Sequence, residues 1–129
     1  MTASEYFEAI KAHLLTEPLV KNFQIVKERR TDSDGHLRVR LTLSEDCPME
    51  FSEYVHLSPK GDITVITYSY HCADADGNLI VRWDNAPHFP DLPGFPGFPH
   101  HRHVGAAGTA EPSEPMNIFK VLNDIRQFL

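Results

Sequence analysis

The chain alternates between two hydrophobic periods and then abandons both. In "SEYFEAIKAHLL", Tyr6, Phe7, Ile10, Leu14 and Leu15 return every three or four residues, the spacing that lines one side of a helix. Ser4 stands where an N-cap belongs. Pro18 limits the helix, because the residue before a proline avoids helical geometry. The period then becomes two. "NFQIVKERR", "HLRVRLTL", "MEFSEYVHL", "DITVITYSYHC" and "NLIVRWD" each read as a strand. In the second, Leu37, Val39, Leu41 and Leu43 take one face and Arg38, Arg40 and Thr42 the other, the mark of a half-buried strand. Asp34-Gly35 and Asp76-Gly77 are hairpin dipeptides, since the tight turn needs positive φ.

Short connections between these strands predict an antiparallel meander. Regularity stops between positions 85 and 115, where seven of the ten prolines and four of the seven glycines fall. It returns in "SEPMNIFKVLNDIRQFL", a helix with Ser113 as N-cap, Pro115 in its first turn, and a stripe of Ile118, Phe119, Leu122, Ile125 and Leu129. Two striped helices need an apolar surface to cover. The expected fold is therefore a single α+β domain over residues 1–129. It consists of an antiparallel meander of about five strands, N- and C-terminal helices packed on one face, and a long Pro/Gly/His-rich loop at 86–115. In "EFSEYVHL", Glu53 shares the inward side of Phe51 and Val55. Two readings follow: an edge strand whose acid reaches solvent, or a partly buried Glu53 paired with an arginine, because an unpaired buried carboxylate is costly.

Composition narrows the classes. A 41% hydrophobic, 23% charged chain is ordinary for a globular protein. The net charge of −6 argues against broad nucleic-acid binding through overall charge, yet leaves room for a local basic patch or for docking to a basic partner. No apolar run is long enough for a bilayer, and the N-terminus lacks a signal layout. A cytoplasmic location and no membrane partner are expected. Cys47 and Cys72 form neither a disulfide framework nor a metal knuckle.

The chemistry concentrates late. If Asp76-Gly77 closes a two-residue turn, His71 lies opposite Arg82, Tyr70 opposite Trp83, and Ser69 opposite Asp84. Alternation sends Tyr70 and Trp83 to the core, with Tyr68. It leaves Ser69, His71, Arg82 and Asp84 on the other face. The loop carrying His88, His100, His101 and His103 departs right after Asp84 and can fold back over that face. Loops of this length are usually functional or disordered. A plain solvated face, with histidines stacking on and capping the loop, is the modest reading. The sharper one is acid–base chemistry, since histidine exchanges protons near neutrality and arginine clamps phosphate. Without a metal, that set suits RNA cleavage. A transition-metal site from His88, His101 and His103 is the further alternative, although "HHRH" matches no standard zinc spacing; no metal and no cofactor are expected.

"DSDGHLRVRLTL", "EFSEYV", "TYSYHCADADGNLIVRWDNAPHFP", "FPHHRHV" and "EPSEP" together resemble the TumE-like toxin family, from about Arg30 to the C-terminal helix. That family consists of small prokaryotic proteins, the toxin members of toxin–antitoxin pairs. The resemblance implies a neighbouring antitoxin with a helix-turn-helix domain. By analogy with other toxins of this size it points to RNA as the target. The leading expectation is a type II toxin, a metal-independent ribonuclease using His71, Arg82, Asp84, His88, His100, His101 and His103. The alternatives are a noncatalytic module whose Pro/His loop orders on a partner, and a His-ligated metal hydrolase.

Overall fold

A computed structural model describes residues 1–86 and 98–129. Helix α1 (Ala3–Thr16) precedes strands β1 (Val20–Arg30), β2 (Asp34–Leu43), β3 (Cys47–Leu57), β4 (Ile63–Ala73), β5 (Leu79–Asp84), β6 (His101–Val104) and β7 (Thr109–Pro112). Helix α2 (Ile118–Asp124) follows and tightens into a 3₁₀ turn (Ile125–Phe128). The strands lie side by side in chain order, and every neighbouring pair is antiparallel. The α+β meander with terminal helices is as expected. The strand count is not: among the described residues seven strands form where about five were expected.

One face of the sheet is the core. Val39, Phe51, Tyr70 and Trp83 stand side by side across β2 to β5, all buried, and Leu41, Met49, Cys72 and Val81 form the next row. Phe7, Ile10 and Leu14 of α1 and Ile118, Val121 and Leu122 of α2 enter the same cluster. Burial of each such side chain contributes about 1.5–3 kcal/mol. The helical stripes are narrower than their spacing predicts: Leu15 is 75% exposed and Leu129 is 41% exposed. The thiols of Cys47 and Cys72 are buried and unbridged, and burial pushes Cys72 up to about 12. Among the described residues no helix is long and apolar enough to cross a membrane.

Both helix starts differ from the sequence reading. Thr2, not Ser4, caps α1. Its hydroxyl accepts from the Glu5 N–H at 3.0 Å, and the Glu5 carboxylate accepts from the Thr2 N–H at 2.9 Å, a reciprocal capping box. Ser4 instead accepts from Arg30 at 2.6 Å. Asn117, not Ser113, caps α2, accepting from the Lys120 N–H at 2.9 Å.

Gly35 has a different purpose from the one its Asp-Gly context suggests. It sits inside β2, paired with Arg30 and Val55, and is not among the positive-φ residues. A Cβ there would meet the Phe7 ring at 2.8 Å and the Ala3 side chain at 3.2 Å. The missing side chain lets α1 approach the sheet. Gly35→Ala is therefore expected to lower stability by about 1–3 kcal/mol through overpacking. Urea denaturation measures it, and an unchanged midpoint would sink this account of the helix contact.

The β4–β5 connection is also longer than a two-residue turn. Residues 74–78 form the loop: the Asp74 carboxylate accepts from the N–H groups of Asp76 and Asn78, each at 2.9 Å, and Gly77 adopts φ 86°. An irregularity between Cys72 and Ala73 absorbs the difference. The register beyond it is the one expected, His71 against Arg82, Tyr70 against Trp83, and Ser69 against Asp84.

Candidate active site

The outer face of the sheet, away from the helices, is polar. The pairing registers set Arg40, Glu50, His71, Arg82 and His103 in one row across β2 to β6. The next row is Arg38, Ser52, Ser69, Asp84 and His101. Neighbouring strands are about 4.8 Å apart, so His71 and His103 flank Arg82 at a backbone separation of about 10 Å.

β6 builds the site by bringing two histidines beside β5. His101 and His103 are two positions apart on a strand, so both project to the face of Arg82 and Asp84. Arg102 between them faces the helices, its guanidinium 5.3 Å from the centre of the Phe128 ring. Gly105 and Gly108, with φ of 74° and 65°, turn the chain into β7. In sequence this hairpin is hidden by the proline and glycine content around it.

Asp84 is the hub, only 4% exposed. Its Oδ2 lies 2.9 Å from Arg82 Nε in an ion pair, and its Oδ1 faces His101 Nε2 at 3.0 Å and accepts the Ala86 N–H at 3.1 Å. His101 is 1% exposed, and its Nδ1 lies 2.8 Å from the Pro99 carbonyl. A carbonyl only accepts, so Nδ1 carries the proton and Nε2 is the nitrogen turned to Asp84. His103 repeats the arrangement, with Nδ1 3.1 Å from the Gly108 carbonyl. The two rings meet edge to face with centres 4.9 Å apart.

Arg82 and His71 are exposed beside this buried hub. Two hollows of about 420 and 300 Å³ adjoin His71 and share Glu50. Arg40 lines the first, and His36 and Arg38 the second. Glu50 accepts from Arg38 at 3.0 Å and from Arg40 at 3.2 Å, which holds its carboxyl below its ordinary value. His36 is held below the usual histidine value by burial and then by the charges of Lys27, Arg29 and Arg38. This end of the face is thus locally basic although the chain is acidic overall. Arg38, Arg40, Glu50 and His36 were missing from the sequence-stated set. Alternation places the two arginines outward, but only the β2–β3 and β3–β4 registers bring them towards His71.

The other candidates separate. His100 turns to the helix side: its Nδ1 is 2.9 Å from the Tyr68 hydroxyl and the two rings stack at 5.8 Å. Burial, and then His101, keep His100 below its ordinary value, and burial raises Tyr68 to about 12. His88 lies outside the described residues. The structure therefore brings together His71, Arg82, Asp84, His101 and His103, and places His100 elsewhere.

A protein-family model, described as Toxin TumE, matches residues 9–129, nearly the whole chain. The chain belongs to the TumE toxin family. No curated protein and no solved structure matches it significantly. In TumE terms, the match takes in the complete outer face and both strands of the β6–β7 hairpin.

Proposed function

We propose that this TumE-family protein is the toxin of a prokaryotic type II pair, acts in the cytoplasm, and cleaves RNA at the outer face of its sheet. The observation that carries the reading is the row His71–Arg82–His103, with Asp84 buried in the next row, 2.9 Å from Arg82 Nε and 3.0 Å from His101 Nε2. Arg82 is held in an ion pair by Asp84 yet its side chain stays 45% exposed, so the guanidinium is available to a phosphate. The reaction is an internal transfer. The 2′-oxygen loses its proton to a base and bonds to phosphorus, the P–O5′ bond breaks, and the 5′-oxygen takes a proton from an acid. A 2′,3′-cyclic phosphate and a 5′-hydroxyl result. His71 on one side of Arg82 and the Asp84–His101–His103 cluster on the other provide the two proton-transfer positions. Arg82 holds the charge that develops between them, and Arg38 and Arg40 extend the track for the flanking phosphates. A basic surface on the antitoxin, with a helix-turn-helix domain, suits a chain of net charge −6.

Induction in bacteria, followed by mapping of RNA 5′ ends, tests the reading. Growth arrest with new 5′-hydroxyl ends, both suppressed when the neighbouring gene is co-expressed, is the expected result. Arrest without new RNA ends would remove RNA as the target.

A further inference from the structure

The Asp84–His101–His103 cluster is more highly organised than a proton-transfer group needs to be. We propose that it is a binding site for one divalent first-row transition-metal ion, held by Asp84 Oδ1, His101 Nε2 and a ring nitrogen of His103. One ligand atom from each of the three residues lies within 4.8 Å of the other two. His101 Nε2 and Asp84 Oδ1 are already 3.0 Å apart. Adjacent ligands at about 2.1 Å from a shared ion are separated by about 3.0–3.4 Å, so this pair has the spacing of a chelate. The half-buried His103 closes the remaining distance.

The surroundings point the same way. Metal-binding histidines give their second ring N–H to a carbonyl or carboxylate, which fixes the tautomer and aims the lone pair. Both histidines meet that condition, His101 on Pro99 and His103 on Gly108. Asp84 is oriented too, because Arg82 occupies its other oxygen. Two imidazoles and one carboxylate favour zinc, manganese, iron, cobalt or nickel over magnesium or calcium. Three protein ligands among the described residues would leave coordination positions for water or substrate, as catalytic sites require. The spacing "HHRH" conceals this from a motif search, because the third ligand comes from the neighbouring strand. The inference departs from the metal-free expectation. It rests on the RNA-cleavage reading only for its role, in which hydroxide on the ion would take the 2′-hydroxyl proton and become bound water.

The full-length chain, stripped with chelator, would be titrated with zinc by calorimetry and with cobalt by visible absorption. One ion per chain is expected. Affinity should fall by more than the roughly 10–100-fold that follows loss of an outer-shell partner, both in His103→Ala and in Asp84→Asn. His56→Ala, an exposed histidine off the site, should bind like the parent. Near-UV circular dichroism identifies any variant that has not folded, and the half-buried His103 keeps one test clear of the core. Absence of stoichiometric zinc at tens of micromolar, or undiminished binding by folded His103→Ala, would overturn the site. Cleavage assays separate the two readings. RNA cleaved equally by stripped and zinc-loaded protein removes the ion's role and leaves the ribonuclease. Zinc bound at this cluster with no cleavage in any condition keeps the site and removes the ribonuclease.

Discussion

Glu53→Ala is expected to lower stability by about 3–5 kcal/mol, enough to unfold much of a small domain. Glu53 has no exposure at all, and its partners are not the arginine that the sequence suggested. Its carboxylate accepts from the Tyr6 hydroxyl at 2.6 Å, the Tyr70 hydroxyl at 2.6 Å and the Ile118 N–H at 2.8 Å. One side chain on β3 thus ties α1, β4 and the start of α2 together. Alanine strands two buried donors and the half-buried Tyr6 hydroxyl, and each unsatisfied buried group costs about 1–3 kcal/mol. Glu53→Gln keeps the shape but turns an amide N–H₂ towards a donor, so a loss of about 1–3 kcal/mol is expected. Urea denaturation of both variants measures this. A loss below about 1 kcal/mol for alanine would remove the anchor.

The same carboxyl gives stability a pH dependence. Burial raises Glu53 above its ordinary value, and the three hydrogen bonds only partly oppose that shift. The folded chain therefore holds this proton to higher pH than the unfolded chain does. Its contribution is complete below the ordinary carboxylate range and declines as pH rises from there through the raised folded value. Subtracting the Glu53→Gln curve from that of the parent isolates the effect. A difference that grew with rising pH in this window would contradict it.

On the proposed chemistry, Arg82→Ala and His71→Ala are each expected to slow RNA cleavage by about 10²–10⁴-fold, the range for loss of a positioned charge or a proton-transfer group. Both side chains are exposed. His71→Ala should change stability by no more than about 0.5 kcal/mol, and both variants should still bind antitoxin. Arg82→Lys should not restore the rate, because an ammonium concentrates its donors on one nitrogen and lacks the planar fork that can contact Asp84 on one edge and a phosphate on another. Single-turnover cleavage of an RNA oligonucleotide, alongside growth after induction, gives the measurement. Undiminished toxicity in both alanine variants would end the case for this face.

What could be read from sequence follows from which forces are local. Alternation in "HLRVRLTL" is written residue by residue, and its inward side is the buried side. The His71–Arg82 pairing was legible because the strands on either side of the loop are strongly patterned, even though the loop is longer than Asp-Gly alone suggests. Glu53 illustrates the opposite case. Its inward position follows from period two, but its partners come from Tyr6 and Ile118, far away in the chain, and only packing selects them. Gly35 resembles a turn residue, and only the position of Phe7 reveals why a side chain is excluded. Strands β6 and β7 are four residues each. They are too short for a period to emerge among prolines and glycines, and they form because β5 offers β6 an edge and β6 in turn offers one to β7.

The sequential strand order has a consequence for synthesis. Each strand pairs with the one made just before it, so the sheet can grow in step with emergence from the ribosome. The Asp84 carboxylate appears with β5, but its imidazole partners arrive only at His101 and His103. A nascent or prematurely terminated chain ending before His101 has five of the seven strands and an incomplete site. On the proposed chemistry, the host is thus protected from fragments, and toxicity begins only when translation is nearly finished, the moment at which a co-translated antitoxin can capture the product.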